Sequence, residues 1–515
     1  MSTIVLALGA SSCDQFERHS PQKYFSETRT SKKDEFRWSN GSEIKTLDPS
    51  KALSAPESDV VKAIYEGLTD SDPETLAATP SVAKSWTQSE DGLVWIFTLR
   101  DDARWSNGDV VTAHDFIRSW KRLPALGLPN SLARLVGNIE GLSEITGRDQ
   151  VQRKEGEPVD GATVAVDDFI LQVSLIEPDP DLPEILSHQI FRPVHSSFVA
   201  DSPLSGENLP ITNGAFRIVS LNSDEIVLER SPLFWAVEDV DVASVRFVMS
   251  ENAEKALDEY RAGRLDAVTN FDFEPLALKL LSSYSDFQRS THAAVNLYEF
   301  NVARAPFSDE RVREAFAISI GRELLVQSET AGAMKPATSL APFIEKFGTV
   351  AEDPKRAKQL MSDAGFPGGK DFPAVVLVIN RNDLQARVAR FITRSWKNVL
   401  GVDVRVEVRE LTELEEVRKS GQFDIMRRGI VFPTSSVKAA QDLIFDEGNS
   451  AEQIAERRSE VTTEAGESVI EKEEIPFALT ALYFPKSYSL MKPSVKGFSV
   501  NSFGASSLKK VTTSK

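Results

Sequence analysis

Between residues 214 and 408 the chain repeatedly switches its apolar period, and that switching constrains the fold more than any other feature. Residues 216–219 and 226–230 read as strands joined by a polar turn, and 245–249 reads as another. Residues 253–262 have helical spacing, and 263–268 return to strand. Helical runs over 311–320, 354–364 and 384–400 then flank the apolar strand 374–379 and lead into VDVRVEV at 402–408, a strict period-two run. Pro354 suits a first helical turn with Asp353 as its cap. Strands alternating with helices in this way imply an α/β architecture.

The first part of the chain is more mixed. Residues 57–66 have helical spacing closed by Gly67 at the C′ position. WIFTLR at 95–100 is a strand after an Asp91-Gly92 turn, and Thr112 caps a helix carrying Phe116, Ile117 and Trp120. Residues 163–175 alternate around Asp167-Asp168 as a hairpin would, and Pro178-Asp179-Pro180-Asp181 punctuates strongly enough for a domain crossing. At 515 residues the chain exceeds one ordinary core, so two or three globular units are expected.

One stretch near the end stands apart. FDIMRRGIVFPTSSVKAAQDLIF (423–445) reads as a strand over 423–431, a Pro-Thr-Ser-Ser turn, and a helical run from Val437. A glycine inside such a strand, here Gly429, marks either a bulge or a place where another backbone comes close.

The formal charge of −18 argues against a nucleic-acid partner, whose phosphates would be repelled. The one cysteine, Cys13, excludes intrachain disulfides and all-cysteine metal sites. It follows the apolar run Ile4–Ala10 and Ser11-Ser12, an order similar to the end of a bacterial lipoprotein signal whose cysteine is lipidated after cleavage. Residues 14–34 read as a polar tether. No apolar run approaches the roughly 18 residues that a membrane-spanning helix needs. There is no P-loop, dinucleotide fingerprint, HExxH or GxSxG, and the five histidines are scattered. Nothing advertises catalysis, a cofactor or a metal.

From residue 36 onward the segments resemble the extracytoplasmic solute-binding proteins of peptide ABC importers, the oligopeptide-binding family (solute-binding family 5). The resemblance is carried by Asn40-Gly41-Ser42-Glu43 with Leu47-Asp48-Pro49, and by Tyr65-Glu66-Gly67-Leu68. Its densest block runs from Ala83-Lys84-Ser85-Trp86 through Ala103-Arg104-Trp105-Ser106-Asn107-Gly108 to Trp120. Thr212-Asn213-Gly214-Ala215-Phe216 and Ala305-Pro306-Phe307-Ser308-Asp309 continue it. The resemblance implies an α/β, three-lobed periplasmic-binding-protein-like fold, with two α/β lobes joined by a hinge plus an inserted α+β lobe. After the leader at 1–35, lobe I would be discontinuous (36–65, 180–290 and 485–515), lobe II inserted at 66–179, and lobe III at 291–484.

It also implies function. Such a protein is a non-catalytic, monomeric receptor in the periplasm or on the outer side of the cell envelope. It closes over an oligopeptide or peptide-like ligand and delivers it to the ABC permease. Carried over, the segments that pair with the ligand backbone are Leu53-Ser54-Ala55 and Arg427-Arg428-Gly429-Ile430-Val431. Arg418 and Arg427 match arginines that can meet a ligand carboxylate, with a lobe-stabilising salt bridge as the competing role. Gln385 stands where some relatives carry a cleft histidine.

The departures are specific. The family's tryptophan after the strand glycine is Ile430 here, and the aspartate that binds the peptide α-ammonium is Pro433. Asp442, the nearest downstream carboxylate, lies in the following helix, and residues 452–474 read as an acidic helical stretch. The alternative function is a degenerate member acting as a ligand sensor or interaction protein without transport.

Overall fold

The structure, a computed structural model, describes residues 23–27, 30–41, 43–142, 163–200, 208–271, 273–344, 347–348, 350–446, 476–498, 503 and 507–513. Cys13 and the acidic stretch at 452–474 lie outside the described residues. Three lobes are each built on a sheet. The first holds seven strands in the order Phe287–Thr291, Lys486–Met491, Ala267–Thr269, Glu35–Ser39, Ser244–Val248, Glu225–Arg230 and Phe216–Leu221. Glu35–Ser39 runs parallel to both its neighbours, while the outer pairings are antiparallel. It buries Phe36 and Trp38 completely, as an aromatic strand covered on its faces should.

The inserted lobe carries an antiparallel sheet of Ala83–Gln88, Val94–Leu99, Ile170–Ser174 and Thr163–Ala165. The helix Ala113–Trp120 starts on the capping box of Thr112 and Asp115. One apolar cluster runs through the first and inserted lobes, a smaller one around Tyr260, Val268 and Leu490 completes the first lobe, and the third lobe has clusters of its own. That third lobe orders six strands as Lys335–Pro336, Leu479–Phe484, Ala294–Phe300, Ile425–Val431, Val375–Asn380 and Val404–Arg409. The helix Asp383–Leu400 is held at its start by Asn382, whose Oδ1 accepts the Gln385 N–H at 3.1 Å. It ends at Gly401, whose φ of 77° any other residue would resist. Its inner face buries Val388, Ile392 and Trp396.

The alternating elements expected between 214 and 408 are all present, with one local correction there and another near the start of the chain. The helix expected over 57–66 is Glu57–Ile64, and Gly67 does not cap it. Tyr65 is already extended, which lets the Glu66 N–H donate to Asn213 Oδ1 at 3.0 Å. Gly263 (φ 77°) ends the preceding helix, so the strand expected over 263–268 narrows to Ala267–Thr269. Between them, Asp266 turns its carboxylate inward to Arg37 (2.7 Å) and Lys492 (3.1 Å).

The chain passes between the first and third lobes at two adjacent points. One joins Phe287–Thr291 to Ala294–Phe300, and the other joins Leu479–Phe484 to Lys486–Met491. The His292 N–H donates to the Pro485 carbonyl at 2.8 Å, tying the crossings together. Two neighbouring, short connections between separately cored lobes are what a hinge requires.

Candidate ligand-binding cleft

A cavity of about 670 Å³ lies in front of those crossings. The first lobe lines it with Leu53, Ser54 and Ala55, and with Phe271, Lys486 and Tyr488. The third lobe contributes Thr330, Met334, Leu384, Arg387 and the run Val431-Phe432-Pro433. The two segments expected to face a ligand, 53–55 and the end of 427–431, therefore look into one space from opposite lobes.

The geometry of Ile425–Val431 explains what it can offer there. It pairs antiparallel with Ala294–Phe300 along its whole length, from Phe300 opposite Ile425 to Ala294 opposite Val431. On its other side the parallel strand Val375–Asn380 meets only Ile425 and Met426. Beyond Met426, no described segment pairs with that second edge. The Phe432 N–H donates to the Ala293 carbonyl at 2.8 Å, which fixes the phase of the antiparallel ladder. Even-numbered residues bond to Ala294–Phe300, so the N–H and C=O groups of Gly429 and Val431 point to the open edge. Gly429 is exposed, and Val431 is 61% exposed at the cavity wall. An open strand edge of this kind is a template for an extended backbone.

The same alternation divides the five residues 427–431 between the two edges and two faces of the strand. Arg428 and Ile430 commit their backbone groups to the neighbouring strand and their side chains to the opposite, buried face. Ile430 packs in the apolar cluster under the helix Val437–Asp446. Arg428 Nη1 lies 3.2 Å from Glu299 Oε2 and donates to the Ile444 carbonyl at 3.3 Å. Arg418 reaches the same carboxylate oxygen at 3.0 Å, so its side chain is committed inside the lobe.

Arg427 lies on the cleft-side face but folds across it. Its Nε and Nη2 donate to Asn296 Oδ1 at 3.1 and 2.6 Å. Asn296 stands directly opposite Gly429, and a Cβ at Gly429 would sit 2.6 Å from Arg427 Nη2. The glycine thus makes room for a neighbouring guanidinium as well as leaving the edge bare. Burial holds the Arg427 pKa below its usual value. Gln385 is buried behind this layer and donates to the Tyr483 hydroxyl at 3.0 Å. Its helix neighbours Leu384 and Arg387 are the ones at the cavity wall.

Pro433 lines the cavity where the expected ammonium-binding aspartate is missing. Asp442 does not replace it in the cavity. It lines an adjoining crevice, which shares Ser131 and Pro433 with the cavity, where the helix Val437–Asp446 meets the inserted lobe, with its Oδ2 on Lys438 Nζ at 3.1 Å. Lys438 also lies 3.7 Å from Glu177, and Arg134 donates to the Asp442 carbonyl at 3.2 Å. Asp179 lines the same crevice, and burial pushes its carboxyl up to about 6 against the pull of Lys438. Among the described residues no group of three or more His, Cys, Asp or Glu side chains could hold a metal ion.

The positions that sequence reading missed are the cavity walls supplied from elsewhere. Phe271 and Phe273 come after a strand of the first lobe, and Lys486 and Tyr488 sit just past a hinge crossing. The proline in Phe484-Pro485-Lys486 was the available signal, since it breaks what otherwise reads as one long strand.

Comparison with known proteins agrees with this geometry. The profile of the bacterial extracellular solute-binding proteins, family 5 middle, matches residues 77–452. The periplasmic oligopeptide-binding protein OppA of Salmonella typhimurium is 32% identical over 405 residues, covering 76% of this chain and 73% of that protein. The periplasmic murein peptide-binding protein MppA of Escherichia coli is 28% identical over 496 residues, covering 88% of each. The crystal structure of Haemophilus influenzae OppA in complex with RPPGFSPFR superposes with a TM-score of 0.65 at 25% identity, over 94% of this chain and 100% of that one. The unliganded open form of MppA superposes with a TM-score of 0.74 at 24% identity, over 96% of this chain and 99% of that one.

Proposed function

The chain belongs to family 5 of the bacterial extracellular solute-binding proteins, and on that premise we propose that it is the receptor of an ABC importer for peptides or peptide-like ligands. It captures them between its first and third lobes by hinge closure and hands them to the permease. The observation that carries this reading is the open edge of Ile425–Val431 beside a cavity shared by both lobes. Bonds from Gly429 and Val431 to a ligand main chain give affinity that is indifferent to side-chain sequence. The volume leaves room for hydrated side chains to vary.

The lobes divide near 36–65 with 180–290 and 485–515, 66–179, and 291–484. The receptor acts as a monomer in the periplasm or on the outer face of the envelope, without catalysis. Lipid attachment at Cys13 would tether it there, and metabolic labelling with a fatty acid, lost in Cys13→Ser, tests that step.

Native mass spectrometry of the purified protein, followed by denaturation and identification of what is released, tests the receptor reading. Short peptides or peptide-like molecules in stoichiometric amount support it. An empty protein whose melting temperature does not move with peptide pools overturns it and favours the sensor alternative.

A further inference from the structure

The charges around the cavity are one-sided. Among its described lining residues are one arginine, Arg387, one lysine, Lys486, and the histidines His188 and His292, and no aspartate or glutamate is present. This contrasts with a chain whose net charge is −18. The two cations approach from different lobes, Lys486 from the strand Lys486–Met491 and Arg387 from the helix Asp383–Leu400. Both reach the end of the helix Arg322–Thr330. Lys486 Nζ donates to the Gly332 carbonyl at 3.2 Å, and Arg387 Nη2 meets the Glu329 carbonyl at 3.5 Å. Those contacts occupy one of the three donors of the lysine and one of the five of the arginine.

Two more cations, both exposed, stand near Lys486. Arg289 and Lys335 lie close enough to Lys486 that, after burial, their like charge lowers its pKa. Arg289 rests over the Phe287 ring at 5.5 Å. Among the described residues none of the four cations has a carboxylate within 4.0 Å. A like-charge cluster without counter-charge costs stability, and a bound anion relieves that cost. At the position where a ligand ammonium would need a carboxylate, the cavity wall is Pro433.

We infer that the hinge end of the cleft is an anion subsite formed by Lys486 and Arg387, and that the receptor selects peptide-like ligands with a free carboxylate and a blocked amino terminus. The inference rests on the peptide-receptor reading above and sharpens its substrate class. An oxyanion there bridges the two lobes beside their crossings, so its binding favours closure. Among the described lining residues a charged ammonium finds no carboxylate to replace the water it would lose.

The test uses the full chain and one set of short random-sequence peptide pools made in four end chemistries: N-acetyl or free amine, each with a C-terminal acid or amide. Competition titration should rank the N-acetyl acid pool first, with the amide pools weaker by about tenfold or more. The free amine should bring no gain. In Lys486→Gln, and separately in the exposed Arg387→Gln, the ratio of acid to amide affinity should fall toward one. A melting temperature that does not drop in either variant shows that the lost preference is not lost folding. Equal binding of acid and amide pools, or tighter binding of the free amines, overturns this inference while leaving the receptor reading intact. No binding by any pool overturns both.

Discussion

Asp179 offers the sharpest physical test of how the third lobe meets the inserted one. Its side chain is buried in the crevice against the helix Val437–Asp446, with Lys438 and Asp442 opposite. Burial raises its carboxyl from 3.8 to about 6, against the attraction of Lys438. An acid whose folded pKa is raised destabilises the fold above that pKa, and the penalty is relieved as pH falls through it. A rise of that size costs about 3 kcal/mol of stability at pH 7.5. The penalty shrinks to about 1.5 kcal/mol at pH 5 and about 0.5 kcal/mol at pH 4. Asp179→Asn removes the charge yet keeps the Oδ1 that accepts the Asp181 N–H at 2.9 Å. Lys438 retains Asp442 at 3.1 Å and Glu177 at 3.7 Å, so no cation is orphaned. The variant should therefore be more stable than its parent at pH 7.5, with the advantage nearly gone at pH 4. Urea unfolding of both proteins at the two pH values measures this as a difference in midpoint. A constant offset between them, or a variant less stable at pH 7.5, would refute the account of a charge buried at a cost.

Three further outcomes follow from the strand beside the cleft. Glu299→Gln should destabilise by about 2–3 kcal/mol, read by denaturant unfolding, because the buried guanidinium groups of Arg418 (3.0 Å) and Arg428 (3.2 Å) both lose their partly exposed carboxylate. Gly429→Ala should cost about 1–3 kcal/mol, since the new Cβ at 2.6 Å drives Arg427 off Asn296; a crystal structure of the variant would show whether the guanidinium has left. A bound peptide methylated at a backbone nitrogen that faces Gly429 or Val431 should bind about three- to tenfold more weakly by calorimetry, because it can no longer donate to the open edge.

Much of the scaffold is legible in the sequence because it rests on local periodicity. The turn at Asp353-Pro354 starts a helix as expected, and Asp353 Oδ1 accepts the N–H groups of Lys355 and Arg356 at 3.1 and 2.9 Å. The strand inside 423–431 and the helix from Val437 are likewise readable from pattern and turn chemistry. The helix expected over 57–66 stops short because its end is set by a tertiary partner, Asn213, rather than by the glycine that looks like a stop. VDVRVEV reads as a strand with one buried face, yet Val404–Arg409 is an edge strand and Val408 is 45% exposed. Periodicity gives the strand but not its place in the sheet.

The site is legible only in part, and the reason is geometric. A run such as Arg427-Arg428-Gly429-Ile430-Val431 presents five residues in sequence but two faces and two edges in space. Which residues serve a ligand depends on the phase of a ladder formed with Ala294–Phe300, more than 100 positions away. The roles of Arg418 and Arg428 are undecidable from sequence for the same reason, because Glu299 comes from that distant strand. The cationic end of the cavity is further still from any local signal. Arg289, Lys335, Arg387 and Lys486 are spread over nearly 200 positions, and each alone reads as a solvated surface charge. Only the return of the chain through the hinge at Pro485 brings Lys486, paired with Thr291, within electrostatic reach of Arg289 and Lys335. Charge of one sign collected where two lobes join is costly in the empty receptor, and that cost is recovered when an anion is held between them.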